Sequence, residues 1–270
     1  MAKIGTAGNT GEKVRSDCLV RVALSDAGGI NLQLRSKVDT MYGRSIRELA
    51  LSVLQEFGVA HAKVEISDSG ALDFVLAARL EAALKQAVRT SRSYQPVNQM
   101  VTPVRSRRNR FRFTRLYLPG NTPSMMLNAG IHKPCGIILD LEDAVAPARK
   151  QEARFLVRNA LRSVDFHGAE RMVRINQLPE GLADLEEIMP AGPDLLLIPK
   201  VESPEVIHSV NDQVEKLTGE RFGTYLMPIV ESALGVERAF EIAGAAENIV
   251  AMAIGLEDYT ADLGVGRTAS

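Results

Sequence analysis

Acids and one arginine recur at the downstream ends of short apolar runs in the second half of this 270-residue chain. Asp140, Glu142 and Asp143 follow CGIIL, and Arg174 and Asn176 close MVRIN. Lys200 follows LLLIP, Glu231 follows LMPIV, and Glu257 and Asp258 follow AMAIG. Glu231 and Asp258 end neighbouring predicted strands. Two such carboxylates can share one hard cation such as Mg²⁺, with waters and substrate completing its shell. The competing reading is that each caps the next helix or pairs with an arginine. Arg174 interrupts an apolar strand, where a charge is costly unless paired or used. Its guanidinium can hold a carboxylate through two parallel bonds, or form a structural pair with Asp140 or Glu142. The run LDLEDAV suits ordering a metal's water shell, accepting a proton or anchoring arginines. Lys200 either faces an anionic substrate or snorkels outward. PGNTPSMM reads as an anion seat at a helix start or as an ordinary N-capped helix.

These residues need a scaffold that gathers strand ends. RLYL, CGIILDL, RMVRIN, DLLLIPK, YLMPIV and IVAMAIG read as six strands. Helices are predicted near 122–130, 147–163, 181–189, 203–218 and 236–246. Each unit takes about 25–30 residues, as in a (β/α) barrel, whose chemistry sits on the rim at the strand C-termini. Six strands are too few to close an eight-stranded barrel, so an incomplete α/β barrel is expected. The first part reads as a small α+β domain. Residues 18–24 (CLVRVAL) and 30–34 (INLQL) form two strands joined by an Asp-Ala-Gly-Gly turn. A helix over 44–57 ends at Gly58, and strand VAHAKVEI follows. After an SDSG turn, ALDFVL leads into a helix ending near Val88.

Between the two parts lies an arginine-rich stretch containing two prolines, with no Asp or Glu between Glu81 and Asp140. It reads as a solvated basic linker; a phosphate-contacting surface is the sharper alternative. The net charge of −1 gives no global field for nucleic acid or an anionic membrane. No apolar run approaches the roughly 20 residues of a membrane span. Cys18 and Cys135 suggest no disulfide framework, and Cys135, in an apolar run, is expected to be buried. A cytoplasmic protein is expected. The four histidines lack metal-ligand spacing, and neither a P-loop nor a complete GxGxxG occurs.

The stretches RLYLPGN, GIILDLEDAV, MVRIN, IPKVES, PIVESALGV and IGLEDYTADLG resemble the citrate lyase β-subunit family of HpcH/HpaI aldolase-like lyases. The resemblance covers about residues 112–268. SDCLVRV, LQEFGV and DSGALDFVLAARLEAAL resemble the citrate lyase acyl carrier protein, the γ subunit. The two resemblances imply a carrier-like domain over 1–92, a basic linker over 93–111 and a truncated (β/α)8 TIM-type barrel over 112–270. They imply a Mg²⁺-dependent lyase that splits a citryl thioester, citryl-ACP or citryl-CoA, to oxaloacetate and an acetyl thioester. Arg174 would bind substrate, Glu231 would touch substrate and metal, and Asp258 would be a metal ligand. The general base is unassigned. Alternatives are a malyl- or citramalyl-CoA-type lyase, and a non-catalytic carrier or scaffold subunit. Implied partners are the citrate lyase α subunit and further copies of the chain. Carrier relatives attach a phosphoribosyl-dephospho-CoA arm to a serine two residues before an aspartate. Aligned on Asp17, that position holds Arg15, and Ser16 is the nearest hydroxyl. The barrel family continues past residue 270, so the chain alone is expected to lack the last two βα units.

Overall fold

The computed structural model describes residues 3–94 and 106–266, and these divide into two compact units. The first takes the described residues before 95 together with Gly120–Asn128 and Ala146–Asp165; the second takes the remainder.

In the first unit β1 (Ile4–Gly8), β2 (Cys18–Leu24), β3 (Ile30–Ser36) and β4 (Ala62–Asp68) form a sheet in the order β1-β2-β4-β3. Alternation sets its two faces. Cys18, Val20, Val22, Ala62, Val64 and Ile66 are buried, while Arg21, Lys63 and Glu65 take the other face. Helix α1 (Asp39–Glu56) buries Ile46, Ala50, Val53 and Leu54, a stripe at helical spacing. Helix α2 (Asp73–Ala87) is buried nearly all round, because it packs on β1 and β2 and also against the later helix α4 (Lys150–Ser163). A Cβ on Gly5 would lie 1.8 Å from the Ala83 carbonyl oxygen, so β1 requires glycine there.

Two expectations change here, and one strand is added. The strands of CLVRVAL and INLQL do not pair; β4 lies between them, antiparallel to β2 and parallel to β3. Gly28 and Gly29 (φ +97° and +73°) redirect the chain between them, and the Gly29 amide donates to His61 Nδ1 at 2.9 Å. ALDFVL contributes to α2 from Asp73 onward rather than preceding it. The edge strand β1 lies in a stretch where the sequence gives no alternating apolar run.

The second unit holds six parallel strands: β5 (Arg115–Pro119), β6 (Gly136–Asp140), β7 (Glu170–Arg174), β8 (Leu195–Ile198), β9 (Tyr225–Val230) and β10 (Ala253–Ile254). They follow in spatial order without a skip, an incomplete TIM-type barrel in which β5 and β10 each have one strand partner among the described residues. Helices α5 (Glu180–Ile188), α6 (Pro204–Thr218), α7 (Ala233–Glu237), α8 (Ala239–Ala243) and α9 (Leu256–Asp262) lie between or after these strands. IVAMAIG yields only the two-residue β10, and the helix expected at 236–246 is two short helices meeting at Arg238. Near PGNTPSMM, α3 (Pro123–Met126) is a single turn, and Thr122 at its N-cap makes no side-chain capping bond.

Period two organises one face of the sheet. Ile138, Met172, Leu195, Leu197, Met227 and Ile229 form its apolar cluster. Continuing that face by two residues reaches Asp140 from Ile138, Arg174 from Met172 and Glu231 from Ile229. The apolar core and the charged rim are thus successive layers of the same strands.

The linker expectation divides. Residues 95–105 lie outside the described residues, whereas the stretch from 106 is pinned to the strand beginnings. Arg112 holds the buried Glu170 carboxylate with two bonds of 2.7 Å, and Arg110 donates to the carbonyls of Cys135 (2.9 Å) and Gly168 (2.8 Å). These guanidiniums are structural clamps, not a solvated tether. Cys135 is half-exposed rather than buried, and a hydrogen bond with Thr114 lowers its thiol pKa. Among the described residues no helix is long and apolar enough to cross a membrane.

Candidate active site

Strand register places the first pair. Asp140 and Arg174 are Cα partners across β6 and β7, both on the cluster face. Arg174 Nε and Nη2 each donate to one Asp140 oxygen at 2.7 Å. Arg174 Nη1 lies 2.7 Å from Glu142 Oε2 and 3.4 Å from Asp143 Oδ2. The guanidinium also stacks 5.4 Å from the Tyr117 ring centroid. The internal pairing that the residues left open is therefore formed. Burial lowers the Arg174 pKa, but the Asp140 hydrogen bonds and the charges of Asp140, Glu142 and Asp143 outweigh it and raise it overall. Burial pushes Glu142 up to about 7 against the pull of Arg174, with Asp143 and Glu231 adding to the rise. A carboxyl poised near neutrality can hold or release a proton at ordinary pH.

The second group centres on Lys200. Its backbone takes a left-handed conformation (φ +51°), uncommon for a side chain with a Cβ and held only where surroundings fix it. The Lys200 amide donates to Glu231 Oε1 at 2.9 Å, and its ammonium lies 3.3 Å from Asp258 Oδ2. Glu231 follows β9 and Asp258 sits in the first turn of α9. The structure thus brings Glu231 and Asp258 to one residue. A Cβ on Gly255 would come within 2.2 Å of Glu231 Oε2, so the lack of a side chain there makes room for this carboxylate. Burial raises the Glu231 pKa; the Lys200 amide opposes that and the Asp258 charge adds to it. The double role of Lys200, a left-handed backbone donor to Glu231 that also carries the cation beside Asp258, is the feature sequence reasoning missed. The polar residue closing LLLIPK was its only signal.

Five carboxylates (Asp140, Glu142, Asp143, Glu231 and Asp258) therefore surround two cations, Arg174 and Lys200. Among the described residues no group of three or more His, Cys, Asp or Glu forms a ready metal cage. That donor set suits a hard cation taken by two carboxylates with waters and substrate, the usual Mg²⁺ arrangement, rather than a softer ion in an all-protein shell.

In the first unit Ser16 is half-buried and left-handed (φ +54°), and its amide donates to the Ser69 carbonyl at 3.0 Å. Arg15 is exposed. Asp17 is buried and receives Arg79 Nε at 2.9 Å and Nη2 at 3.0 Å. The aspartate of the motif is a structural anchor, and Ser16 is the accessible hydroxyl beside it.

Parallel strands carrying an arginine-carboxylate rim define a barrel-type enzyme scaffold. Residues 114–270 match the family model described as HpcH/HpaI aldolase/citrate lyase, and the chain belongs to that family. Residues 6–87 match a carrier model described as malonate decarboxylase delta subunit. Citrate lyase subunit beta of Leuconostoc mesenteroides subsp. cremoris is 42% identical over 160 residues, covering 57% of this chain and 53% of the relative. The L-malyl-CoA/beta-methylmalyl-CoA lyase of Rhodobacter capsulatus is 32% identical over 174 residues, covering 62% and 54%. The chain thus spans little more than half the length of these relatives. A solved citrate lyase beta subunit from M. tuberculosis, complexed with oxaloacetate and magnesium, is 28% identical with a TM-score of 0.47, covering 59% of this chain and 66% of that one.

Proposed function

We propose that the chain is a Mg²⁺-dependent carbon–carbon lyase subunit that cleaves a citryl thioester, on a carrier or on CoA, to oxaloacetate and an acetyl thioester. The observation that carries this reading is the meeting of Glu231 and Asp258 at Lys200, on the same strand-end rim as Arg174. Family membership and the similarity to citrate lyase subunit beta support it. Glu231 and Asp258 would hold the ion. When bound, Mg²⁺ would acidify the substrate hydroxyl and polarise a neighbouring carboxylate.

Arg174 has donors to spare for substrate. Nε and one Nη2 hydrogen serve Asp140, and Nη1 serves Glu142, with a longer contact to the exposed Asp143. A substrate carboxylate would take the remaining Nη2 hydrogen and compete with Asp143, while Asp140 keeps the guanidinium in place. Glu142 is the proton-holding candidate, since its carboxyl is shifted to about 7.

The proposed organisation is a carrier-like domain over 1–92, a linker over 93–111 and the lyase region over 112–270. Ser16 would be the attachment point of a phosphoribosyl-dephospho-CoA arm, with a citrate lyase α subunit and further copies of the chain as partners. A second reading, cleavage of malyl-CoA-type esters, is favoured by the similarity to the Rhodobacter capsulatus enzyme.

The test is turnover of citryl-CoA and malyl-CoA by the 270-residue chain, with Mg²⁺ binding measured by calorimetry. Binding that is lost in Glu231→Gln and Asp258→Asn, with Mg²⁺-dependent release of oxaloacetate, is expected. Faster turnover of malyl-CoA selects the second reading. A parent chain that binds no Mg²⁺ overturns the lyase reading in favour of a scaffold subunit.

A further inference from the structure

The outward face of the first unit's sheet carries an open depression that the lyase reading does not use. Residues 10–12, 35–37 and 67–69 wall about 540 Å³, within the range of small-molecule sites. One side of it is fixed by protein. Buried Asp68 receives Ser36 Oγ at 2.6 Å and the amides of Gly70 (3.0 Å) and Ala71 (2.7 Å), while Ser36 Oγ accepts the Val38 amide at 3.0 Å. Both Asp68 oxygens are therefore spent on the loop, not offered to a ligand.

The remaining wall is rich in donors. Arg35 and Lys37 are exposed and have no ion-pair partner among the described residues. The Thr10, Ser67 and Ser69 hydroxyls likewise make no side-chain hydrogen bond among them. Glu12 is the one acid on this wall besides Asp68. Arg35 and Ser67 also line a neighbouring cavity of about 190 Å³, where Leu19 adds apolar surface, Gln33 an amide and the Arg21–Glu65 ion pair two charges. The two spaces share a wall, the larger open, cationic and hydroxyl-rich, the smaller more enclosed and lined mostly by polar side chains.

We propose that this pair of cavities binds a phosphorylated ligand of nucleotide size, its phosphates held by Arg35, Lys37 and the serine hydroxyls. A guanidinium meets a phosphate through two parallel bonds and an ammonium adds a point charge. The smaller space takes the other end of the ligand, with Gln33 and the Arg21–Glu65 pair supplying hydrogen bonds. Ser16 reaches the same wall through its amide bond to the Ser69 carbonyl, but the site requires no modification of Ser16. The inference is independent of the lyase reading, because its residues belong to the first unit and its readout uses no residue of the parallel-strand rim.

ADP, titrated calorimetrically into the full chain, is the probe. Saturable binding is expected that inorganic phosphate competes away and that weakens as salt rises. The double variant Arg35→Gln/Lys37→Gln should lower affinity by about tenfold or more, and Arg35→Lys/Lys37→Arg should restore most of it. Arg44→Gln, which removes an exposed cation paired with Glu48 on α1, should leave it unchanged. An unchanged thermal midpoint shows the double variant folded; Ser69→Trp, which fills the cavity, gives a second route to the same loss. Absence of ADP binding at about millimolar concentration, the weak end of specific affinity, overturns the proposal. So does binding that survives both the double variant and Ser69→Trp, or that phosphate fails to displace.

Discussion

Arg79 and Arg174 are both arginines set among carboxylates on otherwise apolar elements, and they end in different states. In the first unit Arg79 is fully buried on α2. It is bonded twice to Asp17 and once to the Asn121 carbonyl, with Glu152 3.4 Å from Nη1. Arg158 and Glu81 form a second buried pair between α4 and α2. In the second unit Arg174 keeps 15% of its side chain exposed, and the acids around it range from buried Asp140 to largely exposed Asp143. Helix α2 is covered on opposite sides, so its charges must be neutralised by protein. A strand end meets solvent on one side, so its charges are held from behind and open in front. The same ion-pair chemistry thus gives a lock in one place and a candidate site in the other.

The largest effect expected from this contrast is on stability. Arg79→Met leaves Asp17 buried without its cation, while Glu152 keeps Arg149, and should lower the unfolding free energy by about 3–5 kcal/mol in denaturant titration. A loss below about 1 kcal/mol, the range of exposed pairs, would erase the distinction between lock and site. Arg174→Lys should do the reverse. Loss of the two-bond geometry should reduce kcat/KM on the thioester by about a hundredfold while the denaturation midpoint stays near that of the parent. A midpoint shift as large as that of Arg79→Met would make Arg174 a structural residue.

Gly255→Ala is a finer probe, because its methyl group would displace the Glu231 carboxylate. Mg²⁺ affinity should fall about tenfold, the size typical of disturbing a ligand's support, with little change in the circular dichroism spectrum. Undisturbed affinity would mean that Glu231 is not a ligand. The smallest effect is the pH dependence of Glu142. Its carboxyl lies near 7 in the fold against an ordinary 4.5, so the fold prefers the neutral form. The stabilisation this gives is complete below about 4.5 and is lost as pH rises through 7. Glu142→Gln should therefore gain thermal stability relative to the parent between those limits. A constant difference across that window would rule out the shift.

Strands β6 to β9 are legible because strands of a parallel sheet, covered on both faces, appear as short unbroken apolar runs. Their polar ends identify the rim, and Arg174, Glu231 and Asp258 could be named from the sequence. Other elements carried weaker signals. The five residues of β1, IGTAG, hold one large apolar side chain, and its glycine serves a close approach to Ala83 that no local pattern reveals. The Asp-Ala-Gly-Gly turn looks like a hairpin because a turn records a change of direction, not the strand that later fills the gap. Arg110 and Arg112 look like solvated charge because their acceptors, the Glu170 carboxylate and two carbonyls, come from distant segments.

By itself the sequence determined the element types, the apolar faces and the family, since periodicity and motif order are properties of the chain. Tertiary structure decided which charges are locked and which are open. Register set Arg174 against Asp140, a left-handed residue aimed the Lys200 amide at Glu231, and the first turn of α9 brought Asp258 to the same lysine. Each of these depends on segments far apart in sequence meeting at a few ångströms, and at that range burial and partner, not residue type, fix what a charge can do.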